Sequence, residues 1–185
     1  IGDRVGYVMG SPGSYVEQRV FPAERLIKIP ENISDEVAAA MLLKGLTVSY
    51  LINRTYKVKS GETVLFHAIA GGVGLIACQW LKQIGVTVIG TVSNESKASL
   101  AEDYGCDHII NYKEENFANK VMEITDGKGV PVVYDGVGKD TFESSLKCLS
   151  NFGTLASFGA ASGSPDPCPI SFLAPKSLYL TRPGL

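Results

Sequence analysis

Thr63-Val64-Leu65-Phe66-His67-Ala68-Ile69-Ala70-Gly71-Gly72-Val73-Gly74-Leu75 is the stretch on which the fold turns. An apolar run of strand length passes into a glycine-rich turn, and the turn opens the longest helical pattern of the chain, 73–84. Gly71 and Gly72 let a backbone come close to a pyrophosphate, Gly74 lets the helix pack tightly on the strand, and the helix start offers N–H donors without partners. Against the pattern G-x-G-x-x-G the first glycine is replaced by Ile69. The plain alternative is a structural glycine turn. Placement between a strand and a helix, with a second strand at 86–92, favours a dinucleotide site instead. A P-loop is excluded, because no Gly-Lys-Ser/Thr closes the loop.

Downstream, β-rich runs alternate with helical ones. The runs at 63–67, 86–92, 108–111, 130–134, 153–158 and 177–181 are separated by helical stretches at 73–84, 96–104, 117–124 and 141–149, with a weaker piece near 170–174. Six strands with intervening helices predict an α/β fold with a doubly wound parallel sheet, since right-handed crossovers place helices on both faces. Ligands of such sheets sit beyond the carboxyl ends of the strands, at the switch point.

Upstream the text is different. Three short β-like runs at 5–8, 14–20 and 26–30 are punctuated by Gly and Pro and bury no core by themselves. Ser34 then reads as an N-cap with Asp35 and Glu36 in the first turn, ahead of an apolar helix. Lys44-Gly45 is expected to interrupt that helix, and 46–53 to begin another.

The end of the second strand bears on which nucleotide is bound. NAD sites usually place Asp or Glu about 20 residues beyond the glycine loop, on the ribose 2′-OH. Val92-Ser93-Asn94 stand there instead, and Lys97 follows near the start of the next helix, where a 2′-phosphate would meet its ammonium. NADP is therefore favoured over NAD. Glu95 would oppose that phosphate unless it points away.

Composition bounds the rest. Of 185 residues 45% are hydrophobic and 19% charged, and the net charge is −2, which excludes a disordered chain and gives no electrostatic footprint for nucleic acid. Glycine, at 20 residues, is about 11% against a usual figure near 7%, in keeping with close backbone approaches. No apolar run reaches the ~18 residues of a membrane span. The four cysteines form no CxxC, so neither a disulfide framework nor a zinc knuckle is expected, and the cytoplasm is the simplest compartment.

Taken together, Gly2-Asp3-Arg4-Val5, Lys44-Gly45-Leu46-Thr47, His67 to Gly74, Gly90-Thr91-Val92, Ile110-Asn111-Tyr112, Val133 to Gly138 and Ser157-Phe158-Gly159 resemble the NADPH-dependent quinone oxidoreductases, the zeta-crystallin-like, zinc-free branch of the medium-chain dehydrogenases. The resemblance runs through the whole chain. It implies a sheet of order 3-2-1-4-5-6 and hydride transfer from NADPH to a quinone or enone. It also implies the site: Gly71, Gly72 and Val73 at the pyrophosphate; Ser93, Lys97 and Tyr112 around the 2′-phosphate; Gly136, Val137, Phe158 and Gly159 on the nicotinamide side; Thr47 near nicotinamide and substrate. Against these stand plainer roles. Tyr112 and Phe158 could cap a core, Thr47 could bond back to its own helix, and His67 reads as a hydrogen-bonded core histidine rather than a ligand.

The zinc-dependent branch carries a cysteine ligand where this chain has Lys44, and an ammonium is a poor zinc ligand, so no metal is expected. Family members are longer, with a barrel-like catalytic lobe upstream. Residues 1–61 are accordingly expected to be the closing strands and linking helices of a GroES-like lobe, and 62–185 the NADP-binding Rossmann domain, the chain reading as a fragment. No catalytic side chain is assigned. The resemblance further implies a homodimer joined through the last sheet strand, about 177–181. Alternatives are an NADPH-dependent enone or acryloyl reductase of the same superfamily, or a non-catalytic nucleotide- or RNA-binding module.

Overall fold

The computed structural model describes residues 1–185. Its elements in chain order are strands β1 (Val5–Gly6) and β2 (Ile27–Lys28), helix α1 (Asp35–Tyr50), β3 (Thr63–Phe66), α2 (Gly72–Ile84), β4 (Thr87–Val92), α3 (Glu95–Asp103), β5 (His108–Asn111), α4 (Phe117–Ile124), β6 (Val130–Asp135), α5 (Phe142–Cys148), β7 (Leu149–Ser157) and β8 (Tyr179–Thr181). Strands β3 to β8 form one parallel sheet in the order β5-β4-β3-β6-β7-β8, which is the expected 3-2-1-4-5-6. The chain winds outward from β3 in one direction, then returns to β6 and winds in the other. The switch point lies between β3 and β6, so the turns after these two strands face each other across the crevice.

Both faces of this sheet are covered, which is why its strands read as nearly continuous apolar runs. Val64 and Phe66 of β3, Val88 and Val92 of β4, and Val132 and Tyr134 of β6 point to one face, packed with Val48, Leu51 and Ile52 from α1 and its extension and with Ala77, Cys78 and Leu81 of α2. Leu65, Ile89, Ile110, Val133 and Leu155 point to the other, against Phe117 and Val121 of α4 and Phe142 and Leu146 of α5. The period of two divides neighbours in sequence between two cores.

Two upstream expectations are corrected. Residues 14–20 form no strand. The two-residue β1–β2 ladder offers them no partner, and Arg19 instead draws this loop inward, its guanidinium 5.0 Å from the ring centroids of Tyr7 and of Phe21. Lys44-Gly45 does not break the helix either. α1 runs through both residues, and the expected second helix is its last turns followed by a wider π-type turn at Leu51–Thr55. One glycine inside a helix costs only about 1 kcal/mol, less than the packing of the apolar residues on either side of it contributes. The N-cap is as read: Ser34 Oγ accepts from the Val37 N–H at 3.3 Å.

Candidate cofactor site

The glycine turn is held open by three constraints. Ala68 adopts a left-handed conformation (φ 52°) and its N–H donates to Thr91 Oγ1 at 3.2 Å, so the end of β4 fixes the start of the turn. Gly71 N–H closes the turn on Ala68 O at 2.9 Å. A Cβ at Gly74 would lie 2.6 Å from both Cα and the carbonyl carbon of Ile69, so only glycine lets α2 begin this close to the strand it follows. Gly71 is the N-cap residue of α2 and has no side chain to satisfy the first N–H groups of the helix, which face the crevice.

Beside this turn lies a cleft of about 110 Å³ lined by Ala68, Ala70, Gly71, Thr91, Val92, Ser93, Lys97 and Tyr112. The structure thus brings together Gly71, Ser93, Lys97 and Tyr112, four residues that are 41 positions apart at their extremes in the sequence. Asn94 caps α3 by accepting from Lys97 N–H at 3.0 Å, and Lys97 Nζ reaches back to Ser93 Oγ at 3.2 Å, so the ammonium stands over the end of β4. Tyr112 follows β5, with its N–H on Val92 O at 3.1 Å and its ring partly exposed. Glu95 is exposed and takes no part in lining the cleft. No carboxylate lines it at all.

Across the switch point the turns after β6 and β7 interlock. Phe158 N–H donates to Asp135 O at 2.8 Å, Ala161 N–H to Gly136 O at 3.1 Å and Ser162 N–H to Val137 O at 2.8 Å. Gly136, Val137, Phe158 and Gly159 are gathered here. Arg182, just past β8, ties the same turn down by donating to Gly159 O at 2.7 Å. Phe158 has its ring 5.7 Å from that of Phe66 and belongs largely to the core. Thr47 is buried, and its hydroxyl donates to Leu43 O at 2.8 Å, the back-bonding alternative. Val73 lies in the first turn of α2.

Sequence reasoning missed how these turns are coupled. The Asp135 carboxylate, fully buried, accepts from Val137 N–H at 2.8 Å, Gly138 N–H at 3.0 Å and Thr141 Oγ1 at 2.8 Å. Ser145 Oγ donates to Thr141 O at 2.8 Å and meets His67 Nε2 at 2.9 Å, while His67 Nδ1 meets Thr91 Oγ1 at 3.0 Å. With the Ser145 proton directed at Thr141 O, Nε2 carries the imidazole proton and Nδ1 accepts from Thr91, which leaves the Thr91 oxygen free to accept from Ala68 N–H. Every group is then satisfied, and none of the buried side-chain nitrogens or oxygens lacks a partner. The network links the glycine turn to the Gly136–Gly138 turn beneath the crevice. Burial pushes the His67 pKa down to about 4, with the Asp135 charge pulling the other way. His67 is therefore a neutral structural bridge. The available signal was a row of Thr, Asp and Ser at strand ends and helix starts, which sequence alone could not pair.

No three His, Cys, Asp or Glu side chains converge on a common point, so the donor set of a zinc ion is not assembled by these residues.

Residues 72–182 match the family model described as zinc-binding dehydrogenase. A quinone oxidoreductase of Pseudomonas aeruginosa is 53% identical over the whole chain, and a 2-haloacrylate reductase of a Burkholderia species is 48% identical, the chain covering 57% of each. The crystal structure of Escherichia coli quinone oxidoreductase complexed with NADPH superposes with a TM-score of 0.95 at 49% identity, over 99% of this chain and 56% of that one. The chain thus spans somewhat more than half the length of the relatives it matches. A six-stranded doubly wound sheet with a glycine turn at its switch point, matched over most of its length by one family model, makes this chain a member of the zinc-binding dehydrogenase family, within the medium-chain dehydrogenases and reductases.

Proposed function

We propose that this chain holds NADPH for metal-independent hydride transfer to a quinone. The observation that carries the reading is the carboxylate-free cleft in which Lys97, Ser93 and Tyr112 surround the end of β4, a shape and charge suited to a 2′-phosphate and unsuited to the ribose diol of NAD. The pyrophosphate would lie on Gly71, Gly72 and Val73 at the start of α2, and the nicotinamide against Gly136, Val137, Phe158, Gly159 and Thr47. When bound, the cofactor supplies the hydride. The residues here bind and orient it, and the buried His67 network keeps the two turns that flank it in register. In this reading residues 62–185 are the nucleotide-binding domain, and 1–61 belong to a catalytic lobe that carries the acceptor site.

Fluorescence titration tests the cofactor assignment. NADPH is expected to bind at least about tenfold tighter than NADH, the scale of one or two charge-assisted contacts, and Lys97→Gln to remove most of that preference. Equal affinities of the unaltered chain for both nucleotides would overturn it.

A second acceptor class has its own support in the similarity to the 2-haloacrylate reductase. Steady-state kinetics of the intact protein with 1,4-benzoquinone and with 2-chloroacrylate separate the two. Two further assignments belong to the same proposal. The exposed edge strand β8, with Tyr179 and Leu180, pairs with its copy in a homodimer. The cysteines are free thiols and no helix is long and apolar enough to cross a membrane, in keeping with a cytoplasmic enzyme.

A further inference from the structure

We propose that Lys44 is a second phosphate-binding cation of the cofactor site, directed at the diphosphate bridge that NADPH and NADH share. The inference rests on the reading that the glycine turn receives a dinucleotide, and it assigns the residue that α1 contributes to that turn.

The geometry comes from Gly72. A Cβ built there would stand 2.7 Å from Lys44 Cε, 2.9 Å from Cδ and 3.2 Å from Nζ. The lysine stem therefore lies across Gly72, and its ammonium rests at the amino end of α2, a helix of 13 residues. This position is reached only because α1 continues unbroken through Lys44-Gly45 and packs against α2. The contact at Gly72 differs from that at Gly74: a side chain at 72 would push aside the flexible end of Lys44, whereas one at 74 would meet backbone.

The charge on Lys44 has no counter-ion. The ion pairs of the chain are Arg4–Asp35, Lys28–Asp3, Lys82–Asp107 and Lys120–Glu123, and Lys44 is in none of them. The surrounding sequence is free of acid over long spans. Between Glu36 and Glu62 there is no Asp or Glu, and between Glu62 and Glu95 there is none again. These two spans supply most of α1, the glycine turn, α2 and β4. An exposed ammonium that forms no ion pair, beside helix N–H groups without partners, suits a diphosphate bridge, whose two phosphates carry one negative charge each. Lys97, at the end of β4, faces the other phosphate. The two lysines thus divide the ligand between them. Lys44 reads what every dinucleotide carries, and Lys97 reads what distinguishes NADPH.

Isothermal titration of the chain and of Lys44→Gln with NADPH, NADH and 2′-AMP tests this division. Lys44→Gln is expected to weaken NADPH and NADH by the same factor, about threefold to tenfold for one partly solvated charge-assisted contact, and to leave 2′-AMP unchanged. Lys97→Gln is expected to weaken NADPH and 2′-AMP and to spare NADH. Gly72→Ala, which moves the ammonium without removing it, should follow Lys44→Gln in direction. Unaltered affinity of Lys44→Gln for both dinucleotides overturns the proposal. So does an unaltered affinity with a lowered kcat in the intact protein, which would move Lys44 to the acceptor. If the unaltered chain binds 2′-AMP and NADPH equally well, the glycine turn does not receive the diphosphate, and the underlying reading fails instead.

Discussion

His67 Nε2 and Ser145 Oγ meet at 2.9 Å inside the molecule, 78 positions apart in the chain. The contact joins the strand that ends in the glycine turn to the helix that follows the Gly136–Gly138 turn. Removing the hydroxyl in Ser145→Ala leaves a buried imidazole N–H unsatisfied, and such a donor costs about 1–3 kcal/mol. Urea unfolding should show a loss of that size, accompanied by weaker NADPH binding because both turns depend on the network. A variant as stable as the parent would mean that the bridge contributes nothing.

The same imidazole makes stability depend on pH. In the unfolded chain His67 takes up a proton near its ordinary value of about 6.5, whereas in the folded protein burial holds it neutral down to about 4. Between these values the unfolded state binds more protons, so stability is fully present above about pH 6.5 and falls as pH drops towards 4, by up to about 3 kcal/mol. The chain has only two histidines, and the other, His108, is exposed, which makes the assignment tractable by NMR. The His67 ring signals should remain those of a neutral imidazole at pH 5.5. A His67 midpoint near 6.5 would remove the basis for the pH dependence.

Two helical glycines should respond in opposite directions to alanine. At Gly45 an added Cβ meets nothing within 4 Å, and the backbone is helical, so Gly45→Ala is expected to stabilise the chain by about 0.5–1 kcal/mol. At Gly74 the Cβ would overlap the Ile69 backbone, which cannot move without reshaping the cofactor turn. Gly74→Ala should therefore lose at least about 1–3 kcal/mol and most of its NADPH affinity. Thermal melting with and without NADPH reads both effects.

The turns across the switch point invite a graded comparison. A Cβ at Gly136 would meet the Phe158 ring at 2.9 Å, and at Gly159 it would meet the Gly136 backbone, 2.8 Å from its Cα. A ring can rotate or be shortened, whereas backbone cannot. Gly136→Ala should be the milder change and should be relieved by Phe158→Leu; Gly159→Ala should not be relieved by it. NADPH dissociation constants for the four variants decide this.

Light scattering examines the edge strand. Leu180 on β8 is 41% exposed, and a lysine there would bring like charges to the edge through which the proposed dimer pairs. The chain is expected to be a dimer and Leu180→Lys a monomer. A monomeric parent at micromolar concentration would set the assignment aside.

The sheet was legible in the sequence because its inner strands β3, β4 and β6 are buried on both faces and the helices that cover them on one, so apolar runs and helical periods are written into neighbouring residues. Thr63–Phe66, Thr87–Val92 and His108–Asn111 lie where the runs of β-branched residues stand. The strand order followed from the resemblance alone; the handedness of crossovers gave only helices on both faces of the sheet. The helix through Lys44-Gly45 was not legible, since a local breaker is outweighed by packing against residues far along the chain. Nor was the loop at 14–20, whose alternating pattern has no partner strand to pair with.

What the sequence by itself determined is the chemistry on offer: a glycine turn between strand and helix, no carboxylate at the end of the next strand, and a lysine shortly after it. Only the tertiary structure decided which groups meet. It set Lys44 across Gly72 and joined Asp135, Ser145, His67 and Thr91 into one chain, because such contacts depend on how α1, α2 and α5 pack against the sheet. Local residue spacing carries no record of that packing.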